Sequence, residues 1–286
     1  MVVGAIFLAW YTVKVVAPAA VRPGEAVYTR RNAVAYTAAI AILWLASDWP
    51  LHDISEEYLY SAHMAQHMAF SMLVPPLLLV AMPEWIARLI MTPNGSVGVW
   101  VKRLTHPVVA GVVFNFVQIV THLPYVVNQS IENGVFHYAL HTTVFVTSLW
   151  MWAPVVGPIE EIRPSVPGRM VYLFLMSIVP TVPAGFLTFA GGALYETYDH
   201  PVRLWGISVT DDQQMAGLIM KLGGGLYLWT WILALFVRWN EESDTELVLV
   251  PSVSHDADDT ADADLTFEAV QAEFDRAGAA PSEPTG

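Results

Sequence analysis

Seven stretches of this 286-residue chain are apolar for about the length an α-helix needs to cross a bilayer. They run at residues 2–21, 33–49, 59–82, 107–127, 135–157, 168–192 and 212–239. Inside a bilayer no water is available to the backbone, so each run must be a helix that closes its own hydrogen bonds. The expected fold is therefore all-α, a polytopic membrane bundle of seven transmembrane helices over residues 1–239. Composition agrees: 55% hydrophobic residues and a mean hydropathy of +0.47 exceed what soluble domains carry. The first run lacks a basic start, carries Lys14 and precedes a basic stretch from Arg22 to Arg31. It reads as a retained span rather than a signal peptide. Residues 84–104 look interfacial and amphipathic, broken by "TPNGS".

The net charge of −13 is concentrated at one end. From residue 240 onward thirteen carboxylates face Arg276 alone, so this tail holds −12 and the rest of the chain −1. The 240–286 segment, rich in Asp, Ala, Thr, Pro and Ser, reads as an acidic, disordered tail. Its bias resembles that of protein surfaces in high-salt cytoplasm, which points to a halophile. No basic patch supports nucleic-acid binding. There is no cysteine, which excludes disulfides and thiolate metal sites, so any metal would rely on His, Met, Asp or Glu. The basic residues of short loops alternate in side. Arg22, Arg30 and Arg31, then Arg88, Lys102 and Arg103, then Arg163 and Arg169 share one side, against Arg203 on the other. The positive-inside rule then predicts an outside N-terminus and a cytoplasmic tail, in a prokaryotic plasma membrane.

That topology sorts the histidines. His52, His63, His67, His122, His137, His141 and His200 fall at the outer face, His106 at the inner side and His255 in the tail. Within the third run, "SAHMAQHM" sets His63 and His67 four residues apart, on one helical face with Tyr60, Met64 and Ser71. The fifth run repeats the spacing with His137 and His141, in line with Phe145, Ser148 and Trp152. On the fourth, Asn115, Gln118 and His122 align. Polar side chains in a membrane helix avoid lipid, so the three faces should converge inside the bundle near the outer surface. Asp211, Asp212, Gln213, Gln214 and Met215 open the last span there.

Two i, i+4 histidine pairs can offer up to four imidazoles to one centre or two. Imidazole suits copper and zinc, and the thioethers of Met64, Met68 or Met215 would bias a site toward Cu(I). Asp212 could ligate, orient a ligand histidine, or cap the last span. The bland alternative is histidines bonding across helices or at the water interface, with methionine as ordinary packing filler. The joint sorting of the pairs and His122 favours the ligand reading. Lys221 stands apart, near the middle of the last span and too deep to snorkel easily, so burial against a partner is expected. Prolines 75, 76, 154, 180 and 183 and the glycines at 223–225 mark kinks or close helix approaches.

The chain resembles the CtaG family of membrane proteins, assembly factors for haem-copper cytochrome c oxidases, over residues 44–239. The likeness rests on "SAHMAQHM" followed by "VPPLLLVAMP", "HP" at His106, "THLP" at His122 and "FHYALHTTVF" at 136–145. "FLTFAGGALYETY" and "DDQQMAGLIMKLGGGLYLW" complete it. The family pattern carries over to His63, His67, His122, His137, His141 and the Asp212-Gln213-Gln214 run. It implies a non-catalytic role in oxidase maturation, handling copper at the extracytoplasmic side and passing it to an oxidase subunit docked in the membrane. Two rivals remain: a seven-helix zinc hydrolase with a metal-activated water, and a b-type haem protein. Copper permeation would need a through-path, for which Lys221 and Asn115 are the only mid-membrane hints.

Overall fold

The computed structural model describes residues 2–90, 95–249 and 271, and among these every regular element is helical. In chain order the helices used below are α1 (Val2–Ala20), α2 (Arg30–Ser47), α3 (Leu51–Glu57), α4 (Tyr60–Ala81), α5 (Glu84–Ile90) and α6 (Ser96–Leu104). There follow α7 (Pro107–Thr121), α8 (Pro124–Glu132), α9 (Gly134–Val156), α10 (Val166–Thr188) and α11 (Val209–Glu242). Five of them, α1, α4, α9, α10 and α11, are long and apolar enough to cross a membrane. Two bent pairs, α2 with α3 (46°) and α6 with α7 (69°), raise the number to seven if each pair is one span.

Local chemistry sets the boundaries. Thr29 opens α2 with a reciprocal cap, its hydroxyl accepting from the Asn32 N–H at 3.2 Å while Asn32 Oδ1 accepts from the Thr29 N–H at 2.8 Å. Asn133 and Ser208 cap α9 and α11 through their side-chain oxygens. The run expected at 107–127 is two helices. It stops at Thr121, turns through His122 and Leu123, and restarts with Pro124, whose fixed φ suits a first helical turn. Helical backbone runs on from α11 to Leu249. The rest of the expected acidic tail, and most of the "TPNGS" break, lie outside the described residues.

The prolines and glycines act inside the spans. Pro75 has no N–H to return to the carbonyl of Ser71, so that oxygen needs another donor. The fully buried Trp152 supplies it, Nε1 donating at 2.9 Å. The turn just before, Ala69–Leu73, widens into a π-helix, as does Ile219–Gly224 in α11. Arg88 of α5 donates to both Glu25 oxygens at 2.7 Å, tying the 21–29 loop to that helix and holding the Glu25 carboxyl below its ordinary range.

Van der Waals packing rather than water exclusion must hold the bundle together, because lipid is as apolar as the core. One apolar cluster joins α4, α7, α9, α10 and α11 through Met72, Phe114, Trp152, Tyr172, Leu173 and Leu228. A second, around Tyr60, Met64, Leu187, Tyr195, Tyr198 and Met220, lies toward the histidine-bearing end. The outside carries exposed Val112, Phe116, Phe186, Leu226 and Leu233, as a lipid-facing surface should. Small residues set the closest approaches. A Cβ on Gly217 would lie 2.5 Å from the Thr188 hydroxyl and 2.7 Å from the Ala184 carbonyl oxygen, backbone that cannot yield easily. Gly217→Val should therefore cost about 1–3 kcal/mol by overpacking and lower the thermal midpoint in detergent. Gly185→Ala, whose Cβ would meet nothing within 4 Å, should leave it unchanged.

Candidate metal centre

The π turn begins just after His67 and Pro75 lies about two turns on, so the first half of α4 is a short, separately anchored helix. Its free N-terminal N–H groups are met from α11: the buried Asp212 carboxylate accepts from the Tyr60 N–H at 2.7 Å and the Ser61 N–H at 3.0 Å. Gln213 does the same for the 190s loop, accepting from the Leu194 N–H at 2.7 Å and donating to the Tyr195 carbonyl at 3.1 Å. The Tyr195 hydroxyl then donates to the His122 carbonyl at 2.9 Å. Tyr198 reaches the Ser55 carbonyl at 3.1 Å, tying α3 to the same loop. The Tyr60 ring packs tilted against Tyr195 and edge-on against Tyr198 beside this network. The "DDQQ" and "ALYETY" segments thus brace the three helices that carry histidines.

Between these braces five imidazoles converge. The i, i+4 pairs put ring centroids 4.6 Å apart for His63 and His67, and 4.2 Å apart for His137 and His141. Across the helices, His63 is 5.6 Å from His137 and 5.3 Å from His141, while His67 is 4.7 Å from His141 and 6.1 Å from His122. Glu56, from the end of α3, brings Oε1 to 3.0 Å from His137 Nε2 and 3.5 Å from His63 Nδ1. One donor atom from each of Glu56, His63, His137 and His141 lies within 4.8 Å of the others.

The polar atoms here are short of partners. His67 Nδ1, His122 Nε2 and His137 Nδ1 are buried without a hydrogen-bond partner in the protein, while His63 Nδ1 and His137 Nε2 face only Glu56 Oε1. Unpaired buried polar atoms are rare because each forfeits hydration, so several in one place point to a bound ligand. The donor types fit a divalent or monovalent transition-metal ion. His122 carries a further sign. Its Nδ1 faces the Gln118 carbonyl at 2.6 Å, which fixes the proton on that nitrogen and leaves Nε2 as a lone-pair donor. The His67 and His141 Nε2 atoms stand 3.3 Å apart, close to the ~3.3 Å edge of a tetrahedron with ~2.0 Å metal–nitrogen bonds.

Not every candidate joins this group. Asp212 spends both oxygens on backbone N–H groups. Met64 is buried in the second apolar cluster, Met68 packs beside the first, and Met215 is 44% exposed. Asn115 turns away from the rings, donating to the Gly111 carbonyl and approaching Met176 Sδ. Gln118 serves through its carbonyl. Lys221 is exposed rather than buried and donates to the Thr181 hydroxyl at the Pro180–Pro183 kink. Glu56 is the residue that motif reading passed over. The signal available was an acidic cluster, Asp53, Glu56 and Glu57, in a connection next to His52.

If Asp212 anchors α4, its loss should act on the scaffold first. Asp212→Ala should lower stability by about 1–3 kcal/mol by leaving two buried N–H groups unmet, and Asp212→Asn, which keeps one acceptor, should fall between. Thermal unfolding of the purified variants reads this. Loss of bound metal with an unchanged midpoint would instead make Asp212 a ligand.

A model of the family described as cytochrome c oxidase caa3 assembly factor (Caa3_CtaG) matches residues 9–242. No curated protein and no solved structure matches the chain. With the family match covering most of its length, the chain belongs to the caa3-type cytochrome c oxidase assembly factors.

Proposed function

We propose that the cluster of His63, His67, His122, His137 and His141 with Glu56 binds copper at the extracytoplasmic end of the bundle. The cargo then passes to a subunit of the haem-copper oxidase that the family helps assemble. The observation that carries this reading is the group of buried, unpartnered ring nitrogens from α4, α9 and the turn after α7. It is supported by the family match and by the loop charges, which under the positive-inside rule favour an outside position for the histidine-bearing end. The converging donors are imidazole and carboxylate, a set that accepts Cu(II) and Zn(II) as readily as Cu(I). The thioethers of Met64 and Met215, which motivated Cu(I), pack or project elsewhere. We therefore assign copper without a preference for Cu(I).

One observation favours a second reading. A zinc hydrolase needs three ligands, an open position for water and an acid or base beside it. Glu56 beside His63, His137 and His141 could provide that arrangement. The b-type haem reading finds less support, since rings spaced at 4.2–5.6 Å leave no slot for a porphyrin among them.

Elemental analysis of the purified protein separates these readings. Copper should co-purify, and the His63→Ala/His67→Ala variant should retain roughly 10–100-fold less. Cells carrying only that variant should lose oxidase activity. Zinc in place of copper, with oxidase activity undiminished in cells lacking the gene, would favour the hydrolase. A haem absorption band would end both readings.

A further inference from the structure

Lys221 sits on the π turn of α11, nine residues after Asp212 and seventeen before Arg238. At about 1.5 Å per residue these are roughly 14 and 26 Å, more than a lysine stem can span to reach either end. Its side chain nonetheless faces outward, in a strip of exposed Leu218, Leu222 and Leu226 on α11 and Val182 and Phe186 on α10. Thr181 takes one of its N–H groups and in turn donates to the Ser177 carbonyl at 3.3 Å. An ammonium has three donors, and an ionisable group at this depth persists where something covers it.

We propose that this face docks a transmembrane helix of a partner protein that carries a carboxylate at mid-membrane depth, opposite Lys221. Charge complementarity selects the occupant. Every carboxylate among the described residues lies at or beyond the ends of the spans, so a second copy of the chain would bring no counter-charge and would set lysine against lysine. Lipid headgroups stay at the interface and cannot reach the site. The backbone geometry suits close approach. Gly185 lies one turn from Thr181 on α10 and Gly225 one turn from Lys221 on α11, and a Cβ on either would meet nothing within 4 Å.

The position of this face also matters. The same π turn packs Gly224 against the Met68 side chain, next in sequence to His67, where a Cβ would lie 3.2 Å from Met68 Cε. The docking face and the contact with the histidine-bearing helix α4 thus share one turn of α11. Resting on the assembly reading above, the inference makes the partner an oxidase subunit and Lys221 the residue that registers it.

The test uses cells lacking the gene, complemented with the intact chain or its variants. Lys221→Ala and Lys221→Glu should lower membrane oxidase activity at least about fivefold, while metal per purified protein and thermal midpoint stay at wild-type values. Lys221→Arg, which keeps the charge, should restore activity. Full activity of Lys221→Ala would overturn the proposal. If His63→Ala also left the oxidase intact, the assembly reading itself would fail, which separates the two. Because the chain has no cysteine, Gly185→Cys gives a single thiol for attaching a maleimide–benzophenone photocross-linker in membranes, which needs no thiol on the partner. A product with an oxidase subunit, identified by mass spectrometry and lost in Lys221→Glu, supports the site even if that variant is unstable in detergent. A self-product alone, or no product, overturns it.

Discussion

A helix that begins inside a protein leaves its first N–H groups without partners, and in a membrane no water can take them. The first half of α4 is such a helix, cut off from the second half by a π turn and two prolines. The two bonds that Asp212 accepts from Tyr60 and Ser61 therefore fix where the helix starts and how it is rotated. That rotation aims His63 and His67 at α9 rather than at lipid. The same rule recurs lower down, where Trp152 takes the carbonyl freed by Pro75 and locks α9 against α4. With both ends of the α4–α9 contact pinned by satisfied backbone groups, the His137 and His141 pair has one register in which to meet its counterpart.

Gathering three buried and two half-buried imidazoles around a half-buried carboxylate, with so few mutual hydrogen bonds, is costly to a fold with no bound ion. Packing alone would favour replacing them with apolar side chains of similar volume. The surrounding structure does the opposite. Tyr195, Gln213 and the Gln118 carbonyl hold His122 in place and set its tautomer, while its Nε2 is left open. An oriented donor that bonds nothing in the protein is the feature that the proposed metal reading rests on.

Much of this was legible in the chain. The apolar runs gave an all-helical membrane protein, and the i, i+4 spacing put each histidine pair on one face, because periodicity is local and needs no tertiary knowledge. The prolines and glycines were readable as kinks for the same reason. Glu56 was not, because it lies on a separate short helix and reaches His63 across a chain reversal at Tyr58 and Leu59 that no periodic pattern encodes. Asp212 looked like a ligand or a cap for its own helix, yet it caps another helix some 150 residues away in sequence. Lys221 was expected to be buried because hydropathy registers depth along a helix and not the direction a side chain takes around it. Met64 shares a face with His63 and His67, but the helix has width, and its thioether falls on the apolar side of the stripe.

A protein that hands on a metal must bind it without closing around it. A closed tetrahedral cage of four first-choice ligands holds an ion for its own stability, as structural zinc sites do. Here the donors outnumber the four places of such a cage, and they come from separate elements: α3 gives Glu56, α4 and α9 give two imidazoles each, and the turn after α7 gives His122. On the delivery reading proposed above, an ion held by one subset would gain a donor before losing another, and so would shift within the cluster without being bare. Glu56 stands at the end of this series, on the short helix that connects two spans rather than inside one, and its side chain is 22% exposed. On that reading it is the donor an arriving or departing ion would meet first, and a carboxylate there would attract a cation that the imidazoles behind it could then hold by coordination.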